Sequence, residues 1–168
     1  MITIRPARAD DDFSALAQLY LTAWQTSYQD MLPADFLNQL TVDQYHPEAN
    51  WQHLFVAVNE QDQFVGVCSY GPSRRQRFAG YGEINSIYLL PTQQRQGIGQ
   101  RLMHAALGTL RANGFDRIVL WVLTDNQAAQ HFYWHVGFRP TTVTMTQGPL
   151  NETAFVWLAD EPSGDNGE

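Results

Sequence analysis

The stretch Pro91–Leu102, with the sequence PTQQRQGIGQRL, directly follows the apolar run Ile84–Leu90 and has the composition of an anion-binding loop. Its centre is the pattern Gln94-x-x-Gly97-x-Gly99, which leads into a predicted helix. Glycine lets the backbone approach a ligand closely, and the first N–H groups of a helix have no partner within that helix. Together with the helix dipole, these groups favour a bound phosphate or pyrophosphate.

Two widespread phosphate loops do not fit this stretch. A Walker loop ends in Gly-Lys-Ser/Thr, and the chain contains no lysine. A dinucleotide-binding fingerprint needs a third glycine where Leu102 stands. Taken alone, the glycine pair leaves two interpretations open, an anion loop and a plain strand-to-helix turn.

Length and composition bound the class of protein. With 168 residues and 44% hydrophobic content, the chain predicts one globular domain over residues 1–158, followed by a disordered acidic tail over residues 159–168. No apolar run approaches the ~20 residues of a membrane span, and the start has no signal-peptide pattern, so we expect a cytoplasmic protein that does not bind membranes. The net charge of −7 argues against a nucleic-acid partner. The single cysteine, Cys68, lies in an alternating apolar stretch and is interpreted as a core residue.

Hydrophobic periodicity gives the order of elements. The first part predicts a strand, an amphipathic helix capped within Asp10–Asp12, a short helix opened by Pro33, and a hairpin. The second part predicts a strand, a helix, a strand and a second helix, then two further strands. A strand, helix and strand in this order form a right-handed unit with parallel strands, which gives a mixed α/β sheet. The predicted strands and helices with defined bounds are Ile2–Arg5, Trp51–Val58, Gln63–Tyr70, Glu83–Leu90, Gly99–Ala112, Arg117–Leu123 and Asn126–His135.

The helix predicted at Asn126–His135 supplies an independent pattern. Asn126, Ala129 and Tyr133 are spaced i, i+3 and i+7 and therefore share one helix face, and Gly137-Phe138 ends the helix. Combined with the strand pattern that begins at Glu83 and with the glycine loop, this sequence resembles the GNAT superfamily of acetyl-CoA-dependent N-acetyltransferases. The resemblance extends from about residue 2 to residue 158.

The resemblance implies a fold and a cofactor. The fold would be a mixed, mostly antiparallel sheet of about seven strands, with a central parallel, splayed strand pair and helices on both faces. The cofactor would be acetyl-CoA, with no metal: the loop would receive the pyrophosphate, and the strand before it would pair with the pantetheine arm. The residues implied in cofactor binding are Ile87, Tyr88, Leu89, Arg95, Gln96, Gly97, Ile98, Gly99, Gln100, Asn126 and Ala129.

The resemblance also implies catalytic and substrate residues, each with a structural alternative. Glu83 would be the base, and the alternative is a solvated residue at a strand edge. Tyr133 would donate a proton to the coenzyme sulfur, and the alternative is a core tyrosine. Trp24 and Tyr28 resemble residues of the substrate-side helices, and they could equally be packing residues. Trp121, in the middle of a strand, is interpreted as packing.

The implied function is transfer of the acetyl group of acetyl-CoA to a primary amine by direct attack in a ternary complex. The alternative is a non-catalytic acyl-CoA-binding or regulatory module of the same fold. The acceptor would be a small-molecule amine or a peptide N-terminus, and the oligomeric state stays open, with a dimer possible. His131 and His135 have the i, i+4 spacing of metal ligands, but no third ligand is evident, so we expect no metal site.

Overall fold

A computed structural model of the chain describes residues 1–159. Short 3₁₀ helices occur at Val42–Gln44, Pro47–His53, Gln76–Phe78 and Pro91–Gln93. The strands and α-helices are β1 (Thr3–Pro6), α1 (Phe13–Ser27), α2 (Ala34–Asn38), β2 (Leu54–Val58), β3 (Phe64–Pro72), β4 (Gly82–Leu89), α3 (Ile98–Ala112), β5 (Arg117–Leu123), α4 (Gln127–Val136), β6 (Arg139–Gln147) and β7 (Leu150–Leu158).

The strands form a seven-stranded sheet in the order β1-β2-β3-β4-β5-β7-β6. β1 with β2, β2 with β3, β5 with β7 and β6 with β7 are antiparallel pairs. β4 and β5 are parallel, with a register that runs from Gly82 opposite Ile118 to Ile84 opposite Leu120. The predicted mixed, mostly antiparallel fold with a central parallel pair and helices around the sheet is confirmed.

The chain forms two compact units. The first comprises residues 1–70 and 86–108. Its core contains buried side chains from α1, β2 and β3, among them Leu16, Leu54 and Val67. Asp12 caps α1 by accepting a hydrogen bond from the backbone N–H of Ala15 at 3.1 Å. The cap explains why α1 begins immediately after the acidic run.

The second unit comprises residues 71–85 and 109–159. Phe78, Val119 and Ala154 are the buried centre of one of its apolar clusters. Gly114, at φ 95°, follows α3, and Gly137, at φ 118°, ends α4. Both positions have the left-handed conformation that glycine adopts without steric cost, as the sequence predicted for Gly137.

One predicted boundary is wrong. The strand predicted from Trp51 begins at Leu54, because Pro47 opens a 3₁₀ segment that is kinked at Asn50 and ends at His53. Trp51 packs against the core of the first unit from this 3₁₀ segment, so its side chain is partly buried although the residue lies outside the strand. The other strands and helices with defined bounds begin and end within two residues of their predicted limits.

Four further predictions have different outcomes. The single domain over residues 1–158 stays a prediction. Ala159, the first residue of the predicted tail, donates its N–H to the Asp116 carbonyl at 2.8 Å, and residues 160–168 lie outside the described residues. Between residues 1 and 159, the helices are too short or too polar to cross a bilayer. Cys68 is fully buried, which confirms it as a core residue, and burial raises the pKa of its thiol to about 12.

Candidate active site

The glycine loop lies in the first unit, between β4 and α3. Arg95 and Gly97 both have positive φ, at 66° and 80°, and α3 begins at the next residue, Ile98. A Cβ added to Gly97 would meet nothing within 4 Å, so this glycine is required by the backbone conformation and the space above it is open. Left-handed residues that lead into a helix N-terminus turn backbone N–H groups outward, which is a suitable arrangement for phosphate oxygens.

The side chains of the loop differ in their exposure and in their hydrogen bonds to the rest of the chain. Arg95 and Gln100 are exposed, and Ile98 and Gly99 are buried at the start of the helix. Gln96 donates to the Thr92 carbonyl at 3.4 Å. The candidate phosphate contacts therefore comprise the loop backbone and the exposed Arg95. The guanidinium of Arg101 instead donates to the Ile2 carbonyl at 3.0 Å.

The second half of β4 carries Ile87, Tyr88 and Leu89, which are half-buried. The hydroxyl of Tyr88 accepts a hydrogen bond from the indole N–H of Trp24 at 2.7 Å. Burial raises the pKa of Tyr88 well above its ordinary value, so the phenol is neutral. The side chain of Tyr88 thus belongs to the protein interior, and only its backbone is suited to pair with a ligand.

Trp24 and Tyr28 lie in the last part of α1 and just after it. Their rings meet edge to face, with centroids 4.8 Å apart. Since the only polar atom of Trp24 is engaged with Tyr88, any contact of Trp24 with a substrate would involve its ring.

Glu83 lies in the second unit, near the start of β4, and its side chain is 2% exposed. The carboxylate accepts hydrogen bonds from the backbone N–H and from Nη2 of Arg74, both at 3.2 Å. The alternative of a solvated edge residue is therefore wrong, because the loop after β3 covers this carboxylate. A buried carboxylate held by two donors has a fixed orientation, which suits proton transfer.

The loop between β3 and β4 contributes more than Arg74. The guanidinium of Arg75 lies over the ring of Trp121, 5.5 Å from its centroid, and Phe78 meets the same ring at 5.8 Å. The backbone N–H of Ser73 donates to the Tyr81 carbonyl at 2.8 Å and closes the base of the loop. Arginines stand at positions 74, 75 and 77 of this loop, and the sequence alone does not assign them a role.

Glu152 is an acidic residue that sequence reasoning missed. It lies on β7 and is half-buried. Burial raises the pKa of the Glu152 carboxyl above its ordinary value. The charges of Arg75 and Arg74 act to lower this pKa, and the charge of Glu83 acts to raise it. Glu152 and Glu83 thus belong to one electrostatic cluster. The alternation of NETAFVWL could have placed Glu152 on the same strand face as Ala154, but strand pairing was needed to relate it to Glu83.

On α4, Asn126 is the N-cap, and its Oδ1 accepts from the backbone N–H of Ala129 at 3.1 Å. Tyr133, two turns further on, is half-buried, with ring contacts to Phe132 at 5.4 Å and Phe138 at 6.3 Å. The helix face predicted from the spacing of Asn126, Ala129 and Tyr133 therefore begins at a capped and well-defined helix start.

The histidines of α4 are exposed, and His131 Nε2 and His135 Nε2 lie 3.0 Å apart. Across residues 1–159, no group of three or more His, Cys, Asp or Glu side chains is arranged to hold a metal ion.

Comparison with known proteins gives a family and a fold. The sequence matches the profile of the Acetyltransferase (GNAT) family over residues 13–138. It is 33% identical to YuaI of Bacillus subtilis (strain 168), an uncharacterized N-acetyltransferase, over 131 residues that cover 75% of this chain and 74% of that protein.

Two solved structures share the fold. The PaiA N-acetyltransferase from Thermoplasma acidophilum, in complex with coenzyme A, has a TM-score of 0.76 at 18% identity, covering 94% of this chain and 99% of that one. YncA from Salmonella typhimurium, solved with its cofactor acetyl-CoA, has a TM-score of 0.72 at 20% identity, covering 100% and 99% of the two chains.

Proposed function

Since the chain belongs to the GNAT family of acetyl-CoA-dependent N-acetyltransferases, we propose that it transfers the acetyl group to a primary amine by direct attack in a ternary complex. The observation that carries this proposal is the buried carboxylate of Glu83, oriented by Arg74 near the start of β4. A fixed carboxylate of this kind is suited to remove the proton from an ammonium group.

The cofactor is proposed to bind through the backbone. The open space above Gly97 and the positive φ of Arg95 and Gly97 fit a pyrophosphate group. The backbone of β4 is proposed to pair with the pantetheine arm, and the amide of Asn126 to bond it beside the small side chain of Ala129. The residues proposed for these contacts are Ile87, Tyr88, Leu89, Arg95, Gln96, Gly97, Ile98, Gly99, Gln100, Asn126 and Ala129.

Bound acetyl-CoA supplies an activated thioester. Glu83, directly or through a water, takes a proton from the acceptor ammonium, and the freed amine attacks the acetyl carbon. As the carbon–sulfur bond breaks, Tyr133 would donate its phenolic proton to the departing sulfur, and the second proton that leaves the attacking nitrogen would restore the phenol. The products are the amide and the free thiol of coenzyme A.

Acetyltransferases of this family act on amines of small molecules or of peptides. The acceptor of this chain is proposed to be of one of these kinds, with the rings of Trp24 and Tyr28 among its contacts. A cytoplasmic location and the absence of nucleic-acid partners stay predictions.

The first test is release of free thiol from acetyl-CoA in the presence of a broad amine panel. Tyr133→Phe should lower kcat about 10²–10⁴-fold with little change in coenzyme A affinity, because the ring remains and only the proton donor is lost. Tyr45→Phe, a change of the same kind outside the proposed roles, should leave kcat unchanged. Full kcat in Tyr133→Phe, with chemistry limiting turnover, would assign the tyrosine to packing.

A protein that binds coenzyme A but releases no thiol with any amine would instead support the non-catalytic module. Isothermal titration with coenzyme A separates that outcome from loss of the cofactor site.

A further inference from the structure

One face of the sheet in the second unit carries a polar cluster. In the strand register, Glu83 is opposite Val119 on β5, and Leu123 on β5 is opposite Glu152 on β7. Residues opposite each other share a face, as do alternate residues along a strand. Trp121 lies midway between Val119 and Leu123, so Glu83, Trp121 and Glu152 project from the same face.

Asn85 also belongs to this face, because it lies two residues after Glu83 on β4. The parallel register pairs Ile84 with Leu120, and one further step along both strands reaches Asn85 and Trp121. Asn85 and Trp121 are therefore the residues that directly follow the last paired residues of the two neighbouring strands.

Asn85 and Trp121 share a second property. Within residues 1–159, their side-chain nitrogens, Nδ2 and Nε1, are buried without any hydrogen-bond partner. A buried donor left unpaired costs about 1–3 kcal/mol, and native proteins pair most such groups. Two unpaired donors on neighbouring strands would be satisfied by an acceptor oxygen supplied from outside the chain.

The neighbouring charges constrain what carries that oxygen. Glu152 is within electrostatic range of Arg75, Glu83 and Arg74, and Glu83 is ion-paired with Arg74 at 3.2 Å. Carboxylates favour an ammonium group, but they offer nothing to an oxygen acceptor, whereas the indole and amide donors need one. A ligand that satisfies both sets has an ammonium group with a carbonyl or carboxylate oxygen close to it.

We propose that Asn85 and Trp121 bind the oxygen adjacent to the reactive amine, so that the acceptor is an α-amino carbonyl compound, either a free amino acid or the first residue of a peptide. This assignment rests on the proposed acetyltransferase function and makes the two residues determinants of its specificity. The ammonium of such an acceptor faces the carboxylates of Glu83 and Glu152, and its carbonyl oxygen accepts from the two buried donors.

The kinetic test uses matched acceptors. Amino acid amides are compared with amines that have the same side chain and lack the carbonyl group, such as alaninamide with isopropylamine. Wild-type protein should favour the carbonyl-bearing partner about 100-fold or more in kcat/KM, because rejection of an analogue is strong when a site holds buried donors for the missing group. Equal use of both members of every pair would overturn the proposal and leave the proposed function intact.

Two variants and a control test whether Asn85 and Trp121 cause the preference for the carbonyl-bearing acceptor. Trp121→Phe keeps an aromatic ring and removes the N–H, and Asn85→Leu removes the amide at similar volume. Each should reduce the preference at least ~10-fold, whereas Trp134→Phe on α4 should leave it unchanged. An undiminished preference in both Trp121→Phe and Asn85→Leu would overturn the assignment.

A binding readout separates this proposal from the proposed function. The indole ¹⁵N–¹H signal of Trp121, identified by its loss in Trp121→Phe, should shift when alaninamide, alanine or alanyl-alanine is added. A shift with alanine alone assigns a free amino acid, and a shift with the amide and the dipeptide assigns a peptide-like acceptor. A shift without thiol release would contradict the proposed transferase function and would still support the binding site at Asn85 and Trp121. No shift with any amino acid, amide or dipeptide of the panel would sink the site.

Discussion

The carboxylate of Glu83 is almost entirely buried, yet the arginine that holds it has a side chain that is 69% exposed. Solvent screens the arginine, so we expect the pair to contribute little to folding stability. Its effect is positional, because the backbone N–H and the guanidinium of Arg74 together fix the direction of the carboxylate.

Replacement of Glu83 tests this residue as the base. Glu83→Gln should lower kcat/KM for the amine about 10²–10⁴-fold near neutral pH and recover part of the loss at high pH, where more of the amine is already unprotonated. Thiol release measured between pH 6 and pH 10 checks this. Glu60→Gln, at an exposed glutamate, is the matched control. A uniform loss across the whole pH range would argue against the base assignment.

At the scale of elements, α4 begins with a side chain that has two tasks in our proposal. Oδ1 of Asn126 caps the helix, and its amide nitrogen is assigned to the cofactor. Asn126→Asp keeps an acceptor for the cap and removes the donor, so it should retain the melting temperature while weakening coenzyme A binding. Asn126→Ala should lose both, with about 1 kcal/mol of stability. Calorimetry of both variants measures the melting temperature and the affinity for coenzyme A. Unchanged coenzyme A affinity in Asn126→Asp would remove the amide from the site.

An ion pair links β1 to the segment that directly precedes α1. Arg5 Nη2 lies 2.7 Å from Asp11 Oδ1, with side chains 18% and 8% exposed. The hydrogen bond from Arg5 lowers the pKa of Asp11 below its ordinary value of 3.8. A lowered folded-state pKa contributes stability above the unfolded-state pKa, and this contribution is lost as pH falls through the folded-state pKa.

Asp11→Asn should therefore cost about 1–3 kcal/mol at pH 7, and the difference from wild type should shrink as pH falls below about 4. Urea unfolding at a series of pH values measures it. Asp10→Asn, at the exposed neighbouring residue, should show a much smaller difference. A difference independent of pH would contradict the ion-pair explanation.

Periodicity predicted the element order because it reports which face of each element is buried, and capping residues mark the starts of α1 and α4. The failure at Trp51 shows the limit: an apolar residue packs equally well from a 3₁₀ turn. The glycine loop and the capped α4 were also accessible, since both are local patterns. Arg74 and Glu152 were not, because their relation to Glu83 depends on a loop conformation and on a strand register.

At the scale of the whole molecule, cofactor binding should stabilise the folded chain. Acetyl-CoA at about 100 times its dissociation constant adds roughly 2.7 kcal/mol, which corresponds to about 5–10 °C in melting temperature for a chain of this size. Thermal unfolding with and without acetyl-CoA measures this shift. NAD should have a much smaller effect.

A matched pair of glycine variants assigns that shift to the loop. Gly99→Val, at the buried start of α3, should abolish it, and Gly108→Val, on the same helix with nothing within 4 Å of its Cβ position, should not. Equal shifts in both variants would remove the glycine loop from the cofactor site.

The positive φ of Arg95 has a consequence for how the sequence can evolve. A non-glycine residue in this conformation costs about 1–2 kcal/mol, and glycine would relieve this cost while giving back about 0.4–1 kcal/mol through the freer unfolded chain. Selection for stability alone would thus be neutral toward glycine or would favour it. In the proposed cofactor site, Arg95 trades stability for the charge it brings to the phosphate, and laboratory evolution that rewards thermal tolerance without rewarding turnover should be free to discard it.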